Sequence, residues 1–371
     1  MRRFLVFAPA TLAVLFAAGC PSTTETTPVP PVDPRAAHLA QVPATAEFVL
    51  QADLSRALDR AVVERWLRWT LPLLDIQVEP TCALDLLGRA RIMTQALVRT
   101  DALDEEVMVF LSGSLTAADV AACVALLGNG EPPAPDADGV YRLSLDREVL
   151  EVADFPAGGV VLASPAAMAL ARGPAPAAAE ALAGASRYQQ LRSLLGAGPF
   201  DLDVYGMASL QGDRFRAEGI GVTLQRGATD RYEVVVPAGD ADSANAVAMF
   251  VATLPLLLAA MEAKLDAAAR AGNLDPALPA EAQTEALGVV AAVREALAAA
   301  QTTVEGDVVR AVLEIDPGRA SPIQLALVGG MMLFVRTRGE AAPPEPPEGD
   351  DAYDVPGLPG TDVDRGQPPV E

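Results

Sequence analysis

The sequence predicts an α+β protein built mostly of antiparallel sheet, and two observations carry that prediction. Short runs that alternate apolar and polar side chains, such as "AEFVLQADL" and "DRYEVVVP", are interspersed with segments whose apolar residues fall at helical spacing, such as "RAVVERWLRWTLPLL". Several strand-like runs also follow one another with only turn residues between them, as in "GVYRLSL", "EVLEVADF" and "GGVVLAS". That is the order of hairpins and not of parallel crossovers.

Taken in order, the chain opens with Arg2 and Arg3 before an apolar stretch, 4–19, the charged-then-apolar order of a secretory signal peptide. The stretch is interrupted by Pro9 and falls short of the roughly 20 residues a spanning helix needs. Ala17, Ala18 and Gly19 then meet Cys20, and on these residues the start of the chain resembles bacterial lipoprotein precursors. That resemblance implies removal of residues 1–19 and acylation of Cys20 by diacylglycerol and an N-linked chain such as palmitate. Each buried methylene contributes roughly 0.8 kcal/mol, so several chains hold a protein stably at a membrane. Pro21 stands where Asp would retain an enterobacterial lipoprotein at the inner membrane, so the expected place is the outer membrane, facing the periplasm. Residues 20–35 are rich in Pro and Thr and read as a tether that cannot bury a core.

Two α+β domains are expected next, 36–173 and 174–338, divided at Pro174 and Pro176. In the first, a strand at 46–54 precedes a helix at 60–74 with Val63, Trp66, Leu67 and Leu71 on one face. "ALDLLGRARIMTQALV" and "EVMVFLSGSL" read as two strands joined through "RTDALDEE". "TAADVAACVALLG" reads as a helix capped by Thr116. Three short strands and the helix "PAAMALARG" close the domain. In the second, the helix "SRYQQLRSLLG" leads to strands at "FDLDVYGMASL", "RFRAEGIGVTLQ" and "DRYEVVVP". A long helical region follows, with Val247, Phe250, Val251, Leu254, Leu258, Met261 and Leu265 on one face, read as a core-facing stripe, and Pro255 within it. A second helix is expected at 281–301, then a strand at "GDVVRAVLEI". "SPIQLALVGGMMLFVR" holds 13 uncharged residues between Pro322 and Arg336, the length of a core or surface helix. Residues 339–371, with nine acidic residues against Arg365 alone, read as a solvated disordered tail.

"QVPATAEFVLQADL", "GGVVLASPAAM" and the restart "SRYQQLRSLL" to "FDLDVYGMASL" resemble uncharacterised bacterial envelope lipoproteins with repeated α+β modules. The resemblance implies two related modules and carries no catalytic motif.

Composition excludes more chemistry than it suggests. Beyond residue 19 the chain holds 25 basic and 49 acidic residues, a net charge of −24, which disfavours nucleic acid. His38 is the sole histidine and is expected at the edge of the tether, away from any apolar pocket. Ser–His–Asp and Cys–His mechanisms need an imidazole beside the nucleophile. The sole lysine, Lys264, precedes Leu265 and so builds no phosphate loop. No catalytic residue, metal or cofactor is therefore expected. Asp85, Asp154, Asp201 and Asp203 adjoin strands and are the places a carboxylate hydrolase would draw on, although turn caps and water-facing carboxylates have the same pattern. With Cys20 acylated, Cys82 and Cys123 remain, and in an exported chain they are expected to form a disulfide stapling helix to sheet. The expected function is a membrane-anchored, non-enzymatic binding or structural module with an envelope protein partner. The alternative is a carrier or sensor of a hydrophobic ligand, suggested by the helical pair at 245–301.

Overall fold

The structure is a computed structural model that describes residues 33–73, 81–99, 105–127, 130–145, 148–177, 180–196, 198, 200–212, 215–270 and 279–319. The leader, Cys20, most of the tether, the apolar segment near residue 330 and the acidic tail lie outside them.

Asp33 starts the first helix, α1 (Pro34–Gln41), by accepting a hydrogen bond from the Arg35 backbone N–H at 3.0 Å, with Pro34 in the first helical turn where it costs no hydrogen bond. The expected tether therefore ends before residue 34. Strand β1 (Ala46–Asp53) follows, then α2 (Leu54–Ala57), capped by Asp53, and α3 (Arg60–Leu73). The run expected as one long strand from residue 83 divides in two. Its first part is helix α4 (Thr81–Arg89), which buries Ala83, Leu84 and Leu86 at helical spacing, and only β2 (Ala90–Arg99) is extended. Strand β3 (Glu105–Gly113) leads to α5 (Ala117–Leu127). There Thr116 Oγ1 accepts from the Asp119 N–H at 3.2 Å while Asp119 accepts from the Thr116 N–H at 3.1 Å, a reciprocal cap. Strands β4 (Tyr141–Leu145), β5 (Glu148–Asp154) and β6 (Val160–Ala163) precede α6 (Pro165–Arg172).

The second half restarts with α7 (Ser186–Leu195) and β7 (Leu202–Gly206). The run expected as one strand at 214–225 is a short β9 (Phe215–Ala217), paired with β8 (Leu210–Gly212), and then β10 (Ile220–Gln225). Strand β11 (Asp230–Pro237), helices α8 (Ala241–Arg270) and α9 (Ala280–Ala299), and the hairpin β12 (Gln301–Glu305) and β13 (Val308–Ile315) complete the described chain. The fold class is α+β.

Eleven strands form one sheet in the order β12-β13-β11-β10-β7-β1-β2-β3-β6-β5-β4, every neighbouring pair antiparallel. The expected boundary near Pro174 therefore separates two lengths of chain that share a sheet, because β1 pairs with β7. The path of the two lengths is similar: a helix, a central strand, two strands outward, helical structure, then an antiparallel unit (a three-strand meander in the first, a two-strand hairpin in the second) whose last strand returns beside the third. At a spacing of 152 residues Arg35, Leu39, Phe48 and Leu50 recur as Arg187, Leu191, Phe200 and Leu202. Gln51 and Asp203 stand at the same spacing and lie directly opposite each other across the β1–β7 pair, so the local pseudo-twofold axis passes between them.

Both faces of the sheet are covered. On one, Leu50, Met93, Val109, Leu202 and Leu313 pack against α2 to α5 and α9. On the other, Val49, Ala96, Phe110 and Tyr205 pack against α1, α6 and α7. At Gly159, φ is +94° and an added Cβ would stand 2.0 Å from the Leu111 carbonyl oxygen, so the β3–β6 approach requires glycine there.

His38 corrects its expected place. It lies inside the second of these cores, 1 % exposed, stacked on Phe110 at 5.4 Å and edge-on to Phe155 at 5.5 Å. Its Nδ1 is 3.0 Å from Thr94 Oγ1. Helix α1 folds back onto the sheet and takes the imidazole with it. Burial holds the ring's pKa down, from 6.5 to about 4, against a smaller upward pull from Asp33.

Cys82 also corrects its expected place: it belongs to α4, so the Cys82–Cys123 pair lies between two helices, α4 and α5, not between helix and sheet. The two Sγ atoms are at bonding distance, 2.05 Å, with Cα atoms 5.7 Å apart.

Candidate functional site

Two features stand apart from this packing, and the first is helix α8. From Ser243 to Met261 no residue is charged. Its first turns are anchored on the sheet: Ala244 and Val247 pack with Val309 and Ala238 against its end. Beyond that point the helix continues through Pro255 beside α9, to which Glu262 is tied by an ion pair with Arg294 at 2.9 Å. Helix α9 is tied inward in turn, Glu285 pairing bidentately with Arg65 of α3 at 2.8 Å on both nitrogens. The helix is long enough to cross a membrane and its middle, 244–261, is strongly apolar, yet little of that stretch is buried. Leu256 is 73 % exposed, and Met249, Phe250, Leu257 and Met261 are exposed as well. The expected core-facing stripe is thus corrected in part: Val247 is buried and Val251, Leu254, Leu258 and Leu265 are half-buried, but Phe250 and Met261 face outward because α8 leaves the sheet after its first turns.

The second feature is a cavity of about 440 Å³ between α1 and α7, over β1 and β7. The pseudo-twofold axis runs through its floor, where Gln51 and Asp203 are opposed. Asp203 is 5 % exposed and its Oδ1 has no hydrogen-bond partner, although the Arg35 guanidinium stands 3.5 Å away. The Tyr205 hydroxyl lies near the carboxylate. Arg35 is held in place by donating to the Phe200 carbonyl at 2.8 Å. Burial pushes the Asp203 carboxyl up to about 6, against the opposite pull of Arg35 and of the neighbouring Tyr205 hydroxyl. Tyr188 and Tyr205 meet edge to face at 4.9 Å in one wall. Burial pushes the Tyr188 hydroxyl up to about 12 and raises that of Tyr205 further, the second also because the Asp203 charge is adjacent. Arg192 stands exposed at the rim, near Tyr188.

The four strand-adjoining aspartates part company here. Asp85 is exposed on α4, and Asp154 accepts from the Ala117 N–H at 2.7 Å at the start of α5. Asp201 is 2 % exposed but fully engaged, with Arg56 at 2.8 Å and the Arg226 N–H at 2.7 Å. Asp203 differs in having a fully buried oxygen, Oδ1, that accepts no hydrogen bond and is only ion-paired with Arg35 at 3.5 Å. Asp201 and Asp203 were visible in the sequence, whereas Arg35, Gln51, Tyr188 and Arg192 were not. The available signal was polar residues at inward positions of strands that are otherwise apolar, Gln51 in β1 and Asp203 in β7.

Among the described residues no group of three or more His, Cys, Asp or Glu is placed to hold a metal ion. No family model and no curated protein matches the sequence. Among solved structures the chain is similar to crystal form I of TP0453, at 12 % identity and a TM-score of 0.40, over 80 % of this chain and 97 % of that one.

Proposed function

We propose that this chain is a lipoprotein held by acyl chains on Cys20, and that it acts by binding at a membrane surface and not by catalysis. What supports the reading is α8: a stretch with no charge from Ser243 to Met261 that turns Met249, Phe250, Leu256 and Leu257 to solvent. Apolar surface of that kind is stabilised by transfer to the headgroup–acyl boundary, at roughly 25 cal/mol per Å² removed from water. The helix lies along such a surface in this reading and does not span it, since its first turns are packed against the sheet and Glu262 is tied to α9. The net charge of −24 beyond residue 19 leaves apolar burial as the source of attraction, with anionic lipid opposing it. The outer membrane, reached through the export path implied at Cys20, is the proposed location, with an envelope protein as the eventual partner.

The experiment is vesicle flotation of the full chain carrying Cys20→Ser, so that the acyl anchor contributes nothing. Neutral phosphatidylcholine vesicles should carry the protein, and Leu256→Asp with Leu257→Asp should leave it at the bottom of the gradient. Equal flotation of both chains removes α8 from the proposal. Wild-type chain recovered from membranes with an unmodified N-terminal cysteine removes the anchor. A hydrophobic molecule that co-purifies at one per chain would point instead to the carrier reading.

A further inference from the structure

We infer that the cavity between α1 and α7 is a binding site for a neutral polyhydroxylated ligand, a saccharide, gripped on the pseudo-twofold axis by Asp203 and Arg192. The inference is independent of the membrane reading, because α8 contributes nothing to this cavity.

The argument begins with the unpartnered atom. A buried carboxylate oxygen without a donor costs the folded state, and such atoms are rare unless something arrives to satisfy them. Asp203 Oδ1 is in that condition on the floor of a cavity whose size falls in the range of small-molecule sites. The ligand must therefore bring an O–H or N–H donor. An ammonium group is the poorer choice, since it would enter beside the Arg35 guanidinium 3.5 Å from that oxygen, with Arg192 at the rim. A carboxylate or phosphate is poorer still at this spot, because it brings no donor to Oδ1 and meets the like charge of Asp203. A hydroxyl has neither fault. It donates to Asp203, and its own lone pairs, or those of the neighbouring hydroxyl, accept from arginine. Sugars present such hydroxyls in adjacent pairs, so one can donate to Asp203 while its neighbour accepts from arginine. The donor side of the site is built in advance, Arg35 being fixed by the Phe200 carbonyl while Arg192 stands at the rim.

The test uses the full chain in a non-glycosidic detergent, with saturation-transfer NMR and calorimetry. Probes are glucose, galactose and N-acetylglucosamine, each free and as a linear tetrasaccharide, with glucosamine and glucuronic acid as charged counterparts. At least one neutral sugar should bind, and Asp203→Asn, which sets an amide donor against the ligand hydroxyl, should weaken it at least tenfold. Arg192→Gln, at an exposed position, should do the same without disturbing the fold, and it decides the matter if the Asp203 variant does not fold. Tighter binding of a tetrasaccharide would identify a glycan chain as the source, and equal binding a free sugar. Silence from every neutral sugar, preference for a charged counterpart, or binding that survives both substitutions overturns the inference.

Discussion

Lowering the pH from 7 to 4 is expected to cost the folded protein about 3 kcal/mol through His38 alone, and an opposing residue on the same face of the sheet should mask most of that loss. The shift from 6.5 to about 4 arises from burial of the ring against Phe110 and Phe155. At about 1.4 kcal/mol per pH unit, roughly 2.5 units of difference between folded and unfolded chain amount to about 3 kcal/mol. The sign follows from proton uptake. Between pH 6.5 and 4 the unfolded chain holds a proton on His38 that the folded chain does not. The stabilisation is therefore complete above 6.5 and is lost as pH falls toward 4. Asp203 runs the other way, its carboxyl raised from 3.8 to about 6. Its contribution is complete below 3.8 and lost as pH rises through 6, on the order of 3 kcal/mol over much the same window. Wild-type stability from these two groups should accordingly be nearly flat between pH 4 and 6.5. His38→Leu removes one of the opposed slopes, and the difference between variant and wild type should then change by about 3 kcal/mol across the window. Urea unfolding followed by tryptophan fluorescence at half-unit pH steps measures it, and all other carboxylates cancel in the comparison. With one histidine in the chain, a single imidazole resonance reads the same quantity directly. A native-state titration near pH 6.5, or parallel stability curves for the two chains, would refute the reasoning.

Three further outcomes are expected. Cys82→Ala should lower stability by roughly 4 kcal/mol, the chain-entropy value for a 41-residue separation, and non-reducing peptide mapping of exported protein should yield the linked Cys82–Cys123 pair; two free thiols would overturn the pairing. Gly159→Ala should destabilise by several kcal/mol, seen as a reduced melting temperature, because its Cβ would meet the Leu111 carbonyl in a left-handed backbone position; an unchanged melting temperature would mean that β6 can move away at little cost. Glu285→Gln should cost no more than about 1 kcal/mol in urea unfolding, since Arg65 is well exposed and water replaces much of the pair; a loss of 3 kcal/mol would show that this bridge holds α9 to the body.

Periodicity alone determined most of the elements of this protein and its α+β class. Helix α3, the Thr116 cap of α5, the β4–β5–β6 meander and the restart at α7 are local consequences of side-chain spacing and capping chemistry. Where spacing was ambiguous, as from residue 83, an apolar run satisfied strand and helix alike, and packing of Ala83 and Leu86 decided for the helix. Three matters were decided by the tertiary structure. A histidine next to a Pro-rich segment reads as exposed until α1 is docked on the sheet and closes Phe110 and Phe155 around it. An apolar stripe on α8 has the same sequence whether it meets a core or water, and only the helix's departure from the sheet turns Phe250 and Met261 outward. Gln51 and Asp203 are 152 residues apart and become one site because β1 and β7 pair in a register that sets them face to face. Hydrophobic spacing reports which face of an element is apolar, whereas what that face meets depends on strand order and register, which couple residues too distant in sequence for any local pattern to record.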